Sequence, residues 1–248
     1  MSGTGSSLGT MRLLGAAFEK ANPDVRFALL PSVGSSGAFR AVADGALDVG
    51  ISGRPPRPAE RASGLHTMAY ARTPFVFAVG PRSGATGITV DEAVRIFRGQ
   101  IERGPDGERV RLVLRPRHDV DTVILRGISA EMAAAVEVAL SREGMLVAGT
   151  NQQCDEILLR TPGAIGPSTL AQIISEVQPL TPLAWNGVAP TLENLASGSY
   201  PLEKTLYLVV RSSPKPAVRR FLTFLASREA RTLIERTGSI AVPLSVAE

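Results

Sequence analysis

The sequence predicts an α/β fold, on three observations. Helical spacing and strand-like runs take turns along the chain. Two runs, 75–79 (Phe-Val-Phe-Ala-Val) and 205–210 (Thr-Leu-Tyr-Leu-Val-Val), are continuous and apolar enough for buried strands. Glycine and serine clusters stand where strands hand over to helices.

The first such cluster is Gly3-Thr4-Gly5-Ser6-Ser7-Leu8-Gly9-Thr10, followed by Met11, Leu14, Ala17 and Phe18 at helical spacing up to the stop signal Asn22-Pro23. The alternating run 25–30 predicts a strand. It leads into Val33-Gly34-Ser35-Ser36-Gly37 and then a helix carrying Ala38, Ala41 and Val42. A strand over Leu47, Val49 and Ile51 delivers Ser52-Gly53-Arg54 before the breaker run 55–58. Unpaired N–H groups and a positive dipole end gather at such helix starts, so hydroxyls there read as an anion cradle. A serine cap with no ligand is the plainer alternative for any one of them.

Further on, Met68-Ala69-Tyr70 is strand-like with His66 before it, and 75–79 ends at Gly80-Pro81. Thr89-Val90-Asp91-Glu92 is a capping box opening a helix through Phe97. The strand 110–114 leads to Arg115-Pro116-Arg117-His118-Asp119-Val120-Asp121-Thr122. Asn151-Gln152-Gln153 opens a helix with Ile157, Leu158 and Leu159; its polar side chains either cap the helix or face a cleft. Trp185-Asn186-Gly187 reads as a turn with one packed indole, and 217–236 as one or two helices.

Composition bounds the function. At 248 residues, 44% hydrophobic and 20% charged, the chain fits an ordinary globular protein of one large domain or two lobes. Its net charge of +4 comes almost wholly from scattered arginine, with lysine only at 20, 204 and 215, so no nucleic-acid stripe is expected. Two histidines and the lone Cys154 give no zinc spacing and no internal disulfide, and no Gly-Lys-Ser/Thr phosphate loop occurs. No metal and no cofactor are expected. No apolar run reaches the roughly 20 residues of a membrane span. The polar, glycine-rich start predicts that the chain carries no signal peptide; if the protein is exported, this is a mature or trimmed form behind an added Met1.

The ordered segments AFEKANPDV, GSSGAFRAVADGALDVGISGRPP, TPGAIGPSTL and PTLENLASGSYPLEKTLYLVV resemble the phosphate-binding proteins of bacterial ABC phosphate importers, within the type II periplasmic binding proteins. The resemblance runs from about Gly3 to Pro243. It implies a two-lobed fold hinged on two crossing strands, with 1–78 plus 207–248 as lobe one, 79–206 as lobe two and a ligand cleft between them. It also implies a monomeric, extracytoplasmic, non-enzymatic protein that holds phosphate or a similar oxyanion and docks on a membrane permease without insertion. A sensor or regulatory domain on the same scaffold is the alternative. An enzyme is a third reading, weakened because no serine lies in a nucleophile elbow and His118 is the sole histidine near the expected cleft.

Carried over by residue, the resemblance implies a site of Ser6, Ser7, Leu8, Ser35, Ser36, Ser52, Gly53 and Arg54 from lobe one, and Arg115, Arg117, Asp121 and Thr122 from lobe two. Both Arg115 and Arg117 are candidates for the family's arginine, since the spacing has one residue too many if counted from Arg115; the planar fork suits an oxyanion. The family's acid, which accepts the proton of a protonated phosphate, falls on Gly53. Asp119 or Asp121 is the available substitute, and an acid restored at Gly53 is expected to favour protonated phosphate over sulfate.

Overall fold

A computed structural model describes residues 1–246. The chain opens with β1 (Ser2–Gly3), a 3₁₀ turn (Gly5–Ser7), α1 (Leu8–Ala21), α2 (Gly34–Ala43), β2 (Gly50–Ser52), α3 (Pro58–Arg61) and the long β3 (Leu65–Val79). Next come β4 (Gly87–Ile88), α4 (Val90–Phe97), β5 (Arg111–Leu114), α5 (Val120–Arg126), α6 (Ala130–Ser141) and β6 (Leu146–Val147). They are followed by α7 (Asn151–Arg160), β7 (Ala164–Thr169), α8 (Leu170–Ser175), β8 (Thr181–Pro182), β9 (Ala184–Trp185) and α9 (Leu192–Ser197). The chain returns through β10 (Glu203–Arg211), α10 (Pro216–Leu225), α11 (Arg228–Arg236) and β11 (Ile240–Val246).

One continuous sheet runs β1-β2-β10-β3-β7-β5-β6, with β11 and β8 also paired to β3. The segments around Met68 and Phe77, which read as separate strands, form the single strand β3. Its first part pairs with β10 and β11, and 75–79 pairs with β7 and β8. Pro74 sits where the neighbours change, so its missing N–H costs little of the ladder. Phe75 N–H resumes bonding on the Leu202 carbonyl at 3.0 Å. Segment 25–30 is not in a strand. It bonds the main chain of Met1 through Ala28 O (2.7 Å) and Leu30 N (2.9 Å), because β1 is only two residues long and leaves little edge to extend.

Among the described residues two large hydrophobic cores flank the β3/β10 pair, and a small third one joins Phe39 and Val42 of α2 to Leu47 and Val209. Leu8, Met11, Leu14 and Phe18 of α1 pack on Ile51, Tyr70, Leu206 and Leu208 and on Phe221 and Ile234 of the last two helices. Phe18 meets Phe221 edge-on at 5.2 Å between ring centroids, a geometry aromatic pairs favour. The other core gathers 75–79, Val94, Phe97, 112–114, Met132, Val136 and Trp185. Trp185 stacks on Phe77 at 5.7 Å, and the turn after it takes positive φ at Asn186 (49°) and Gly187 (81°), the residues best suited to that region. The indole is therefore a packing residue. No helix among the described residues is long and apolar enough to cross a membrane.

The capping box at α4 forms as expected: Thr89 Oγ1 accepts from Glu92 N (3.2 Å), and Glu92 Oε2 accepts from Thr89 N (2.8 Å). Thr89→Ala is expected to lower stability by about 1 kcal/mol, read as a lower urea midpoint at unchanged slope.

Candidate functional site

β1 and β2 end beside the start of antiparallel β10, and β5, which runs the opposite way in the other half of the sheet, ends towards them, so the chemistry gathers where these strand ends meet. β1 and β2 deliver Ser6, Ser52 and Gly53, β5 delivers Arg115, and antiparallel β10 begins with Glu203 and Lys204. The first turns of α2, α5 and α7 open onto this region, so three helix amino ends add partial positive charge.

At the centre lies the Asp121 carboxylate, on α5, with 1% of its side chain exposed. Lys204 Nζ donates to Asp121 Oδ1 at 2.5 Å and to Ser6 Oγ at 2.8 Å. Asn151 Nδ2 donates to Asp121 Oδ2 at 2.9 Å, and Arg115 Nε stands 3.5 Å from the same oxygen. The Arg115 fork also holds Asp119, with Nη2 at 3.0 Å from Oδ2, while its Nη1 donates to the Ala148 carbonyl at 2.6 Å. Asp119 is the N-cap of α5, accepting from Asp121 N at 2.9 Å. Burial by itself would raise the Asp121 pKa, but the Lys204 and Arg115 charges outweigh it and hold the carboxyl below the usual range. For Asp119, burial and then the neighbouring Asp121 charge push the pKa up.

The expected residues divide into three groups. Ser6, Ser35, Gly53, Arg115 and Asp121 come together. Gly53 N donates to Ser35 Oγ at 2.9 Å, and a Cβ on Gly53 would stand 3.4 Å from Lys204 Nζ. Ser7, Leu8, Ser52 and Thr122 are buried supports. Ser7 Oγ bonds the Tyr70 hydroxyl, Leu8 enters the core, and Ser52 Oγ donates to Arg54 O at 2.7 Å. Thr122 Oγ1 donates to Arg115 O (3.2 Å) and Pro116 O (3.0 Å), fixing the strand end that carries the arginine.

Ser36, Arg54 and Arg117 stand at the rim. Arg54 is spent on a bidentate pair with Glu60 (2.6 and 2.7 Å) and lies 5.1 Å over the Phe39 ring. Arg117 is half exposed and bonded to Glu137. These rim residues, with Ser35, Asp119, Gly149 and Thr150, line a cleft of about 400 Å³ above the buried cluster.

Two residues escaped the sequence reading. Lys204 is 2% exposed, and Tyr70 anchors Ser7 from 63 positions away. A signal for Lys204 was present: period-two alternation puts it on the same face as Leu206, Leu208 and Val210, all buried. Lys204 also explains Gly53. A Cβ there would come within 2.5 Å of Lys204 Cε, so an acid at 53 could enter only by displacing the lysine from its place.

Asn151 faces the cluster, whereas Gln152 bridges Gly5 O (3.0 Å) and Glu176 (2.9 Å) and Thr150 supplies the α7 cap. Behind α7, Asp155 accepts from Ser168 Oγ (3.1 Å) and Gln172 Nε2 (2.6 Å), and burial pushes its pKa up to about 7.

A curated relative, the phosphate-binding protein PstS of Bacillus subtilis (strain 168), is 28% identical over 251 residues, covering 96% of this chain and 79% of that protein. Among solved structures, a Clostridium perfringens protein described as a phosphate ABC transporter substrate-binding protein with bound phosphate superposes with a TM-score of 0.82 at 19% identity, covering 98% of both chains. The periplasmic molybdate-binding protein of Azotobacter vinelandii gives a TM-score of 0.67 at 17% identity, again over 98% of both chains. At such identities the two structures speak for the fold, which is that of the type II periplasmic binding proteins. The family profile described as a PBP superfamily domain matches residues 1–229. With that match spanning most of its length, the chain belongs to the PBP superfamily.

Proposed function

We propose that this protein is the extracytoplasmic solute-binding component of an ABC importer, binding an oxyanion, phosphate foremost, between two lobes and presenting it to a membrane permease. The observation that carries the reading is the convergence of Arg115, Lys204, Ser6 and Ser35 with three helix amino ends where the strand ends from the two halves of the sheet meet. Cationic forks and hydroxyls of this kind replace the water around an oxyanion without a metal or a nucleophile. The names of the Bacillus subtilis and Clostridium perfringens proteins support phosphate as the first ligand to try.

In this reading 1–78 plus 207–248 form lobe one and 79–206 form lobe two. Arg115 is the gripping arginine, Arg117 a rim residue, and the protein works as a monomer outside the cytoplasm. Calorimetric titration with phosphate, sulfate, molybdate and acetate tests the proposal. Saturable one-to-one binding of phosphate is expected, and absence of binding by all three oxyanions would refute it.

A further inference from the structure

The buried cluster is unusual for an anion site because its charges already close on themselves. Lys204 and Arg115 bring two positive charges, and Asp119 and Asp121 bring two negative ones. Each of these side chains except Asp119 is almost wholly buried, at 3% exposed or less, and Asp119 is 22% exposed. Asp121 is held as an oxyanion would be, by an ammonium, a guanidinium edge and an amide N–H arriving from three different elements. The lysine side of that grip is anchored on Ser6, whereas the carboxylate is borne on α5, so the Lys204 to Asp121 pair ties together residues 83 positions apart.

Resting on the proposed oxyanion-binding role, we propose that Asp121 is a tethered competitor for the anion seat: an incoming oxyanion binds by taking its place on Lys204 and Arg115. Lys204 is then the cation that determines binding, and Asp121 is the group that sets its strength.

A dianion added beside the intact cluster would meet no net positive charge, and the helix amino ends alone offer only about half a charge each. If Asp121 withdraws, the cluster is left with one positive charge in excess, with buried Lys204 stripped of its carboxylate partner and Arg115 held by Asp119 alone, so an oxyanion entering the vacated place meets an uncompensated cation, which is strongly unfavourable until it is paired. A carboxylate fixed to α5 also acts at the high effective concentration of a tethered ligand. It lowers the apparent affinity in proportion to the fraction of molecules in which the seat is open.

Gly53 belongs to the same device. Its missing side chain leaves the space through which Lys204 Cε passes, so the glycine and the lysine are one choice. The low pKa direction of Asp121 fits a carboxylate that stays charged and competes as an anion.

The proposal separates from the idea that Asp121 accepts the proton of a protonated phosphate. A competitor weakens every oxyanion, whereas an acceptor strengthens protonated phosphate and does nothing for sulfate. The test is calorimetric titration of the wild-type protein, Asp121→Asn and Lys204→Met with inorganic phosphate and with sulfate, each variant first checked by circular dichroism and thermal melting. Asp121→Asn is expected to bind both anions at least tenfold more tightly, and Lys204→Met to bind both at least tenfold more weakly. Should Asn at 121 not fold, Asp121→Ser removes the charge while keeping an acceptor for Lys204.

In the wild-type protein the Asp121 carboxyl carbon resonance should shift as phosphate is added, a readout that needs no variant. If the wild type binds phosphate while neutralised variants at 121 bind it no more tightly, the competitor idea falls and the binding function stands. Loss of phosphate binding in Asp121→Asn with sulfate binding unchanged would assign the residue as a proton acceptor instead. If neither the wild type nor any variant binds phosphate or sulfate, both readings fall together.

Discussion

Arg115→Ala is expected to lower the unfolding free energy by about 3–5 kcal/mol, the range for removing one partner of a buried ion pair. The cause is specific. Without the guanidinium, Asp119 and Asp121 face each other on the first turn of α5 with only Lys204 to balance them, and the Ala148 carbonyl loses its donor. The same change should weaken oxyanion binding by about 2–5 kcal/mol, because a desolvated charge-assisted contact is lost. Arg117→Ala should change neither quantity appreciably, since that side chain is 46% exposed and its partner Glu137 is also held by Arg126. Urea unfolding and phosphate titration of the two variants side by side check the pair of statements. Equal midpoints would show that the buried arginine is not the one that matters.

The second large effect is a pH dependence centred on Asp155. Burial raises its folded-state pKa to about 7 from the ordinary 3.8, with Glu176 adding to the rise and the bonds from Ser168 and Gln172 opposing it. The folded protein therefore holds a proton between those two values that the unfolded chain has released. Stability from this group is greatest below pH 4, declines as pH rises through 7 and then levels off. The span is on the order of 4 kcal/mol between pH 4 and pH 8, at 1.36 kcal/mol per pKa unit.

Asp155→Asn keeps groups able to bond Ser168 and Gln172 and removes the charge. It should melt higher than the wild type at pH 8 and match it near pH 4. Asp121, whose pKa is shifted the other way, contributes stability that is lost as pH falls. The difference between wild type and variant at each pH isolates Asp155 from that opposing trend. Parallel melting curves across the range would refute the assignment.

What the sequence determined by itself was whatever neighbours within a few residues decide. The α4 capping box, the stop of α1 before Asn22-Pro23, the turn after Trp185 and the hydroxyl-rich strand ends were all legible from spacing and residue type. These depend on local dihedrals and on hydrogen bonds spanning three or four positions. The resemblance in the glycine-serine loops and the segment around Leu195 brought the fold with it. The strand expected over 25–30 failed because alternation specifies a face but not a partner edge, and β1 offers almost none.

Tertiary structure alone decided the site. Arg115 and Arg117 have the same charge and stand two positions apart, and only the packing of α5 and α7 buries the first and leaves the second at the rim. Lys204 looked like one more dispersed basic residue, although its alternation with Leu206 and Leu208 marked the buried face. What gives it a purpose is Ser6, 198 positions away, and Asp121, 83 away. Coulomb and desolvation energies act through space, so the pairing of charges becomes readable only once the chain has brought distant residues to one place.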